Sequence, residues 1–360
     1  MIVKEENNLL KQTLKGFTLE ELRDHFISIN EPTFRAEQVF KWMYGDIVDD
    51  FDEMENIPKP LRKKLSEEFY IDTLRYFKSE TSPSTKTKKY IFETVEGNQI
   101  ESVVIPEKKR TTLCVSTQVG CPLDCKFCAT GLMGYKKNLT AGEIFDQFKL
   151  ASKDYKDSEI TNIVYMGMGE PLLNFKETVK SLEIFSEELT TGMSLKKITI
   201  STAGIAPKIR ELSETGLKVK LAFSLHSCFE DIRSKIMPIN EKYSLKENIE
   251  RLKEYAKISG TRITFEYVML KDINDRNEDV KAIARLMSYL PSKLNIIPFN
   301  SLKHMNPSGL AGGLESSSED RILWFADKLR EKNITVMLRN TQGDDIAAAC
   351  GQLAIKVQHE

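Results

Sequence analysis

Three of the chain's six cysteines lie within eight residues, in the stretch GCPLDCKFCATG from Gly120 to Gly131. They are Cys121, Cys125 and Cys128, spaced C-x3-C-x2-C. Thiolates are metal ligands. Three on one loop suit a cubane iron–sulfur cluster in which one iron has no protein ligand. That iron could bind a substrate or cofactor directly, as the open position of a catalytic zinc does. The competing reading is a structural zinc, with Cys114 or a distant His as fourth ligand. Structural zinc sites usually join one C-x2-C to a second C-x2-C or to H-x3-H, and the sequence has neither partner.

Further polar residues sit where strands should end. MGMGEP, Met166 to Pro171, follows the strand-like NIVYM. Its Gly167 and Gly169 let backbone approach a ligand closely, and Glu170 can accept hydrogen bonds from an ammonium group or ribose hydroxyls. The third glycine of a dinucleotide fingerprint is missing. Ser201, Ser224, His226 and Asn300 also fall at the C-terminal ends of strand candidates. Polar groups at one end of successive strands fit one ligand on one barrel face. Cys114 reads as a small buried residue inside TLCVST. Cys350 follows an acidic GDD turn, beside Gly351. Glu101, in IESVVIP, becomes a proton acceptor with a raised pKa if it faces inward. Strand alternation leaves its direction open, since Ile100, Val103 and Ile105 do not share a face. Cys228, His25, His304 and His359 have no constellation around them.

The elements that must position these residues are those of an α/β chain. From Thr111 onward, strand candidates TLCVST, NIVYMG, KITIST, VKLAFS, TFEYVML, LNIIPF and ITVML alternate with helical patterns. That alternation predicts right-handed βαβ units and a parallel sheet, a barrel whose closure periodicity does not decide. Residues 1–70 read as an N-terminal helical unit. Thr18 and Glu21 form a capping box for LEELRDHFISI, a second helix runs from Phe34 to Tyr44 and stops at Gly45, and a third begins near Pro60. Residues 71–106 read as a β-rich connector, with YIFETV and IESVVIP around the turn EGNQ. Residues 107–345 hold the alternating core, and 346–360 a tail. The Gly- and Ser-rich segment 305–318 predicts a mobile loop.

Composition narrows the class. The chain has 360 residues, 41% hydrophobic and 29% charged, with net charge −1. A chain this close to neutral must bind nucleic acid through local patches. Such clusters occur at Lys59–Lys64, Lys86–Lys89, Lys108–Arg110, and Lys136 with Lys137. No apolar run approaches the roughly 20 residues a membrane span needs, and the first residues lack a signal-peptide core. These features predict a cytoplasmic protein, where thiols stay reduced.

With Phe127 before its last cysteine, C-x3-C-x2-C resembles the signature of radical S-adenosylmethionine (SAM) enzymes. GCPLDCKFCATG, MGMGEPLLN, ISTAGI, FSLHS, RSKIMPIN, IIPFN and GDDIAAACGQL occur in this order along nearly the whole chain. Together they resemble the radical SAM methyltransferases that act on adenine C2 of 23S rRNA and tRNA, the RlmN family. The resemblance implies a partial parallel (β/α) barrel of radical SAM type and one [4Fe-4S] cluster on Cys121, Cys125 and Cys128. It implies a SAM site lined by Gly169, Glu170, Ser201, Ser224, Leu225, His226 and Asn300. It implies that Cys350 becomes S-methylated, that Glu101 accepts a proton, and that Cys114 resolves a covalent intermediate and leaves a transient disulfide. Implied partners are 23S rRNA, tRNA and an electron donor such as flavodoxin, for a monomer away from membranes. Two rivals stand beside this reading. One is the related resistance methyltransferase that modifies adenine C8. The other is a zinc-stabilised RNA-binding protein without catalysis.

Overall fold

The computed structural model describes residues 11–355. The first residues of the N-terminal unit and the end of the tail, with His359, lie outside that range. Helix α1 (Leu19–Ser28) opens with the expected capping box, the Thr18 and Glu21 side chains each accepting from the other's backbone N–H. Two otherwise unpaired donors are thereby satisfied. Helix α2 (Thr33–Tyr44) buries Ala36, Val39, Phe40, Met43 and Tyr44. It ends at Gly45, where a Cβ would stand 2.7 Å from the Leu189 carbonyl oxygen. Helix α3 (Lys59–Glu68) buries Leu61 and Leu65 and leaves Lys59, Lys63 and Lys64 exposed.

The main sheet has ten strands, and their spatial order is their chain order. They are β1 (Leu74–Thr81), β2 (Lys88–Thr94), β3 (Gln99–Glu107), β4 (Arg110–Cys114), β5 (Asn162–Tyr165), β6 (Ile198–Thr202), β7 (Lys220–Ser224), β8 (Ile263–Met269), β9 (Ser292–Pro298) and β10 (Val336–Leu338). Strands β1 to β4 form an antiparallel meander. From β4 to β10 every pairing is parallel. The crossovers carry helices α4 (Ala141–Asp154), α5 (Phe175–Ser186), α6 (Ala206–Glu214), α7 (Leu245–Ser259), α8 (Asn277–Met287) and α9 (Glu319–Arg330). The sheet curls but does not close, because β10 pairs with β9 alone among the described strands. It is therefore a partial (β/α) barrel.

Sequence patterns explain both the strands found and those missed. β6 alternates, with Ile198, Ile200 and Thr202 buried under the helices and Thr199 and Ser201 half-buried on the inner face. All seven residues of β8 are buried, as befits a central parallel strand. β1 escaped the sequence reading because in LRYFKSET only Leu74 is buried. Also missed was the small hairpin of Gln118–Gly120 with Tyr135–Asn138, which brackets the three-cysteine loop. The segment 305–318 holds a helical turn, Gly309–Gly312, and is tied to the end of β8 by Lys271 N–H donating to Glu315 O at 3.0 Å.

The N-terminal unit is fixed to α4. Lys15 Nζ lies 2.5 Å from Asp146 Oδ1, with both side chains buried. Thr73 donates its backbone N–H and its hydroxyl to the other Asp146 oxygen, which keeps this buried charge paired. Gly142 is required there, since a Cβ would stand 2.6 Å from Lys15 O. Among the described residues no helix is long and apolar enough to cross a membrane.

Candidate active site

The three-cysteine loop lies at the C-terminal end of the parallel strands. Gly120, at φ +76, leads into it where a Cβ would collide with Gly134 O at 1.9 Å. Cys128 N–H donates to Cys125 O at 3.1 Å, and Lys126 N–H donates to Ile236 O at 2.9 Å. The loop is thus folded on itself and pinned to the core. Burial pushes the Cys121 thiol up to about 12, with Cys128 adding to the rise. Burial, then Cys128 and Cys121, also push the Cys125 thiol well above its ordinary value. Three thiolates this close need positive charge beside them. Among the described residues no three His, Cys, Asp or Glu side chains converge as a site for one metal ion. A single zinc draws its thiolates to about 2.3 Å from one point, whereas a cubane gives each thiolate its own iron. Three free thiols on one loop, with no second pair of ligands beside them in the sequence, are the donor set a cubane with one open iron uses.

Beside the loop, Gly169 adopts φ +99 with no room for a Cβ, which would stand 2.5 Å from Gln118 Cβ. Glu170 is buried and accepts from Ala203 N–H at 2.7 Å and from Leu172 N–H at 3.0 Å. Burial raises its pKa to about 7. Ser201 and Ser224 are half-buried at the ends of β6 and β7. Leu225 is wholly buried, and its N–H donates to Glu266 O. His226 has φ 52, an uncommon conformation outside glycine. Its Nδ1 accepts from Val268 N–H at 3.0 Å, its ring meets Phe127 edge-on at 4.5 Å, and burial lowers its pKa to about 3. A neutral imidazole therefore orders the wall behind the cysteine loop.

The tail folds back over this rim. Ala129 N–H donates to Gly351 O at 2.7 Å, and the Thr130 hydroxyl donates to Leu353 O at 2.6 Å. Gly351 lies so close to the loop that a Cβ would stand 3.1 Å from Phe127 O. Asn300 Nδ2 donates to Cys350 O at 2.9 Å. His304, which carried no sequence signal, lies 3.1 Å from Gln352 O. Ala354 N–H donates to Glu101 Oε2 at 2.9 Å. Glu101 faces inward and is 2% exposed. Burial lifts its pKa to about 7 against the pull of Lys89 at 3.5 Å.

Cys114 and Cys350 line one cavity of about 310 Å³ inside the partial barrel. Burial pushes the Cys114 thiol up to about 12, and the nearby Cys350 thiol adds to the rise. Solvent reaches Cys350, yet desolvation by the surrounding walls raises its pKa too, while Arg339 pulls it down. All six cysteines are free. A disulfide, which the resemblance implied, is therefore not a feature of this structure.

Several residues of the site were not singled out individually in the sequence. Arg233, fully buried, donates to the carbonyls of Leu225, Ala203 and Ser224 and to Asn240 Oδ1, clamping three rim segments together. Gln118 Oε1 accepts from Glu170 N–H at 2.8 Å. Arg339 and Glu266 face each other at 3.9 Å in the cavity. Only RSKIMPIN flagged Arg233, and only as part of a motif. Within the basic clusters, Lys88 is ion-paired with Asp154, Lys89 with Glu101, Arg110 with Glu107, and Lys137 with both Glu96 and Glu143.

Known proteins share this sequence and architecture. Residues 12–71 match the ribosomal RNA large subunit methyltransferase N-terminal domain, and residues 115–287 match the radical SAM superfamily. The chain is 42% identical over 349 residues to the probable dual-specificity RNA methyltransferase RlmN of Dictyoglomus turgidum, covering 96% of both chains. It is 40% identical over 357 residues to the dual-specificity RNA methyltransferase RlmN of Alcanivorax borkumensis, covering 97% of this chain and 91% of that one. A crystal structure of a radical SAM methyltransferase from Sphaerobacter thermophilus superposes with a TM-score of 0.87 at 38% identity, over 95% of this chain and 99% of that one. The chain belongs to the RlmN family of dual-specificity RNA methyltransferases, radical SAM enzymes whose cofactors are a [4Fe-4S] cluster and SAM.

Proposed function

We propose that this enzyme methylates C2 of adenine in 23S rRNA and in the tRNA anticodon loop, with Cys350 as methyl carrier. The observation that carries this reading is the docked tail. It sets Cys350 in one cavity with Cys114, against the cysteine loop, while its own backbone binds Glu101. C2 lies between two ring nitrogens and is electron-poor, so a methyl cation equivalent from SAM is mismatched to it. A thiolate is a good nucleophile and takes that methyl group readily. Cys121, Cys125 and Cys128 would hold the cluster, and Gly169, Glu170, Ser201, Ser224, Leu225, His226 and Asn300 would line the site of a second SAM; when bound, the two would supply the one-electron chemistry that the S-methyl group needs. Cys350 then delivers its carbon to C2 and stays joined to the base. Glu101 removes the C2 proton. Cys114 attacks the Cys350 sulfur: a Cys114–Cys350 disulfide forms, the sulfur–carbon bond breaks, the freed CH2 carbon takes up a proton to complete the methyl group, and reductant reopens the disulfide for the next turnover.

In this reading the N-terminal helical unit, residues 1–70, holds RNA through exposed Lys59, Lys63 and Lys64 on α3. Residues 71–106 connect it to the core of 107–345, and 346–360 form the carrier tail. The target adenine leaves its stack to reach the cavity. The enzyme works in the cytoplasm as a monomer, fed by an electron donor such as flavodoxin.

The carrier role has a direct test. Reconstituted protein incubated anaerobically with SAM and reductant, without RNA, should gain one methyl group on the peptide containing Cys350. A methyl group on Cys114, or none on Cys350, would reject the assignment.

A further inference from the structure

Strand β1 carries a feature the reaction scheme leaves unused. Its register against β2 slips between Tyr76 and Lys78, so Phe77 has no partner. Such bulges set two residues against one and re-aim a side chain, often beside an active site. Tyr76 pairs with Phe92, on the side where Tyr90 stacks on Phe92 and bonds Asp154 of α4. Alternation from Tyr76 turns Phe77 to the opposite side. Lys78 is on that side as well, since it opposes Ile91, and Ile91 opposes Glu101. Phe77 and Lys78 therefore share the face that carries Glu101, two strands away.

Phe77 is 52% exposed. A bare aromatic on an edge strand invites aggregation unless charge or a ligand covers it. Lys78 beside it and Lys86 at the hairpin turn are exposed, and neither has an ion-pair partner among the described residues. An aromatic ring with cations following it along the same hairpin, Lys78 next in the strand and Lys86 in the turn beyond Thr81, suits single-stranded nucleic acid, the base stacking on the ring and the backbone following the charge. Flipping one adenine out of an RNA strand also breaks its neighbour's stack, and that neighbour needs a new surface.

We propose that Phe77 is the stacking platform for the nucleotide beside the target adenine, with Lys78 and Lys86 holding the adjoining phosphates. This rests on the RNA reading above. The test measures binding of a fluorescein-labelled, unmodified tRNA transcript to the reconstituted enzyme by anisotropy. Phe77→Ala and Phe77→Leu should each bind about tenfold more weakly, and Phe77→Trp within about threefold of wild type. RNA-free SAM cleavage should stay at the wild-type rate in all three, because Phe77 lies away from the cysteine loop. Wild-type affinity in Phe77→Ala would overturn the proposal. So would a Leu variant that binds as well as the Trp variant, which would mean apolar contact without stacking. Wild-type protein that binds no RNA would instead overturn the RNA reading itself.

Discussion

Cys114→Ala is expected to halt the enzyme as a covalent protein–RNA adduct, with less than one methylated base released per enzyme molecule. Once carbon from Cys350 is bonded to C2, release requires a second nucleophile at the Cys350 sulfur. Cys114 is the sulfur that shares the cavity with Cys350. Cys121, Cys125 and Cys128 belong to the cluster, and Cys228 lines a different groove with Leu245, Ile249 and Tyr289. No other described cysteine is placed to substitute. The Cys114 thiol is buried and pushed up to about 12, so it must lose its proton near Arg339 to attack. The substitution removes only a small side chain next to an existing cavity, so folding should survive. A denaturing gel would show RNA migrating with protein, and nuclease digestion followed by mass spectrometry would place the bond on Cys350. Multiple turnover at the wild-type rate would contradict the role.

Glu101→Gln should lower methyl transfer by about 10²- to 10⁴-fold, the usual contribution of a positioned base. Glutamine keeps the shape and can still accept from Ala354 N–H, so the tail should stay docked. The wild-type carboxylate titrates at about 7 because burial disfavours its charge. Only the ionised form can take the C2 proton. The wild-type rate should therefore climb as pH rises through about 7 and level off above it, and the variant should lack that limb. Stability should move the other way. A carboxyl whose pKa rises from 4.5 to about 7 on folding destabilises the native state increasingly as pH climbs between those values, and not at all below the lower one. At pH 8 the variant should melt higher than wild type, and near pH 4 the difference should vanish. A variant that retains wild-type transfer at pH 8 would remove Glu101 from the reaction.

Much of this arrangement could be read in the sequence, for reasons that differ by element. The parallel strands were legible because apolar β-branched runs such as ITIST and ITFEYVM are buried by helices. The cysteine loop was legible because its ligands are adjacent in the chain. Glu101 resisted, because β3 is buried on both faces near it and alternation cannot assign a side. β1 resisted because its exposed face carries Arg75, Phe77 and Lys78, with no apolar period to find. Arg233, Arg339 and Gln118 act through partners distant in sequence, and one chain gives no local pattern for such contacts. The docking of the tail is the same kind of fact. Cys350 was singled out by its neighbours in the chain, but its meeting with Cys114 depends on the curl of the whole sheet.

The central claim is where the methyl group goes. Reconstituted enzyme should be incubated anaerobically with SAM, reductant and unmodified 23S rRNA, and the digested nucleosides resolved by mass spectrometry against standards. The account predicts 2-methyladenosine. 8-Methyladenosine, or SAM cleavage with no methylated adenosine, would contradict it.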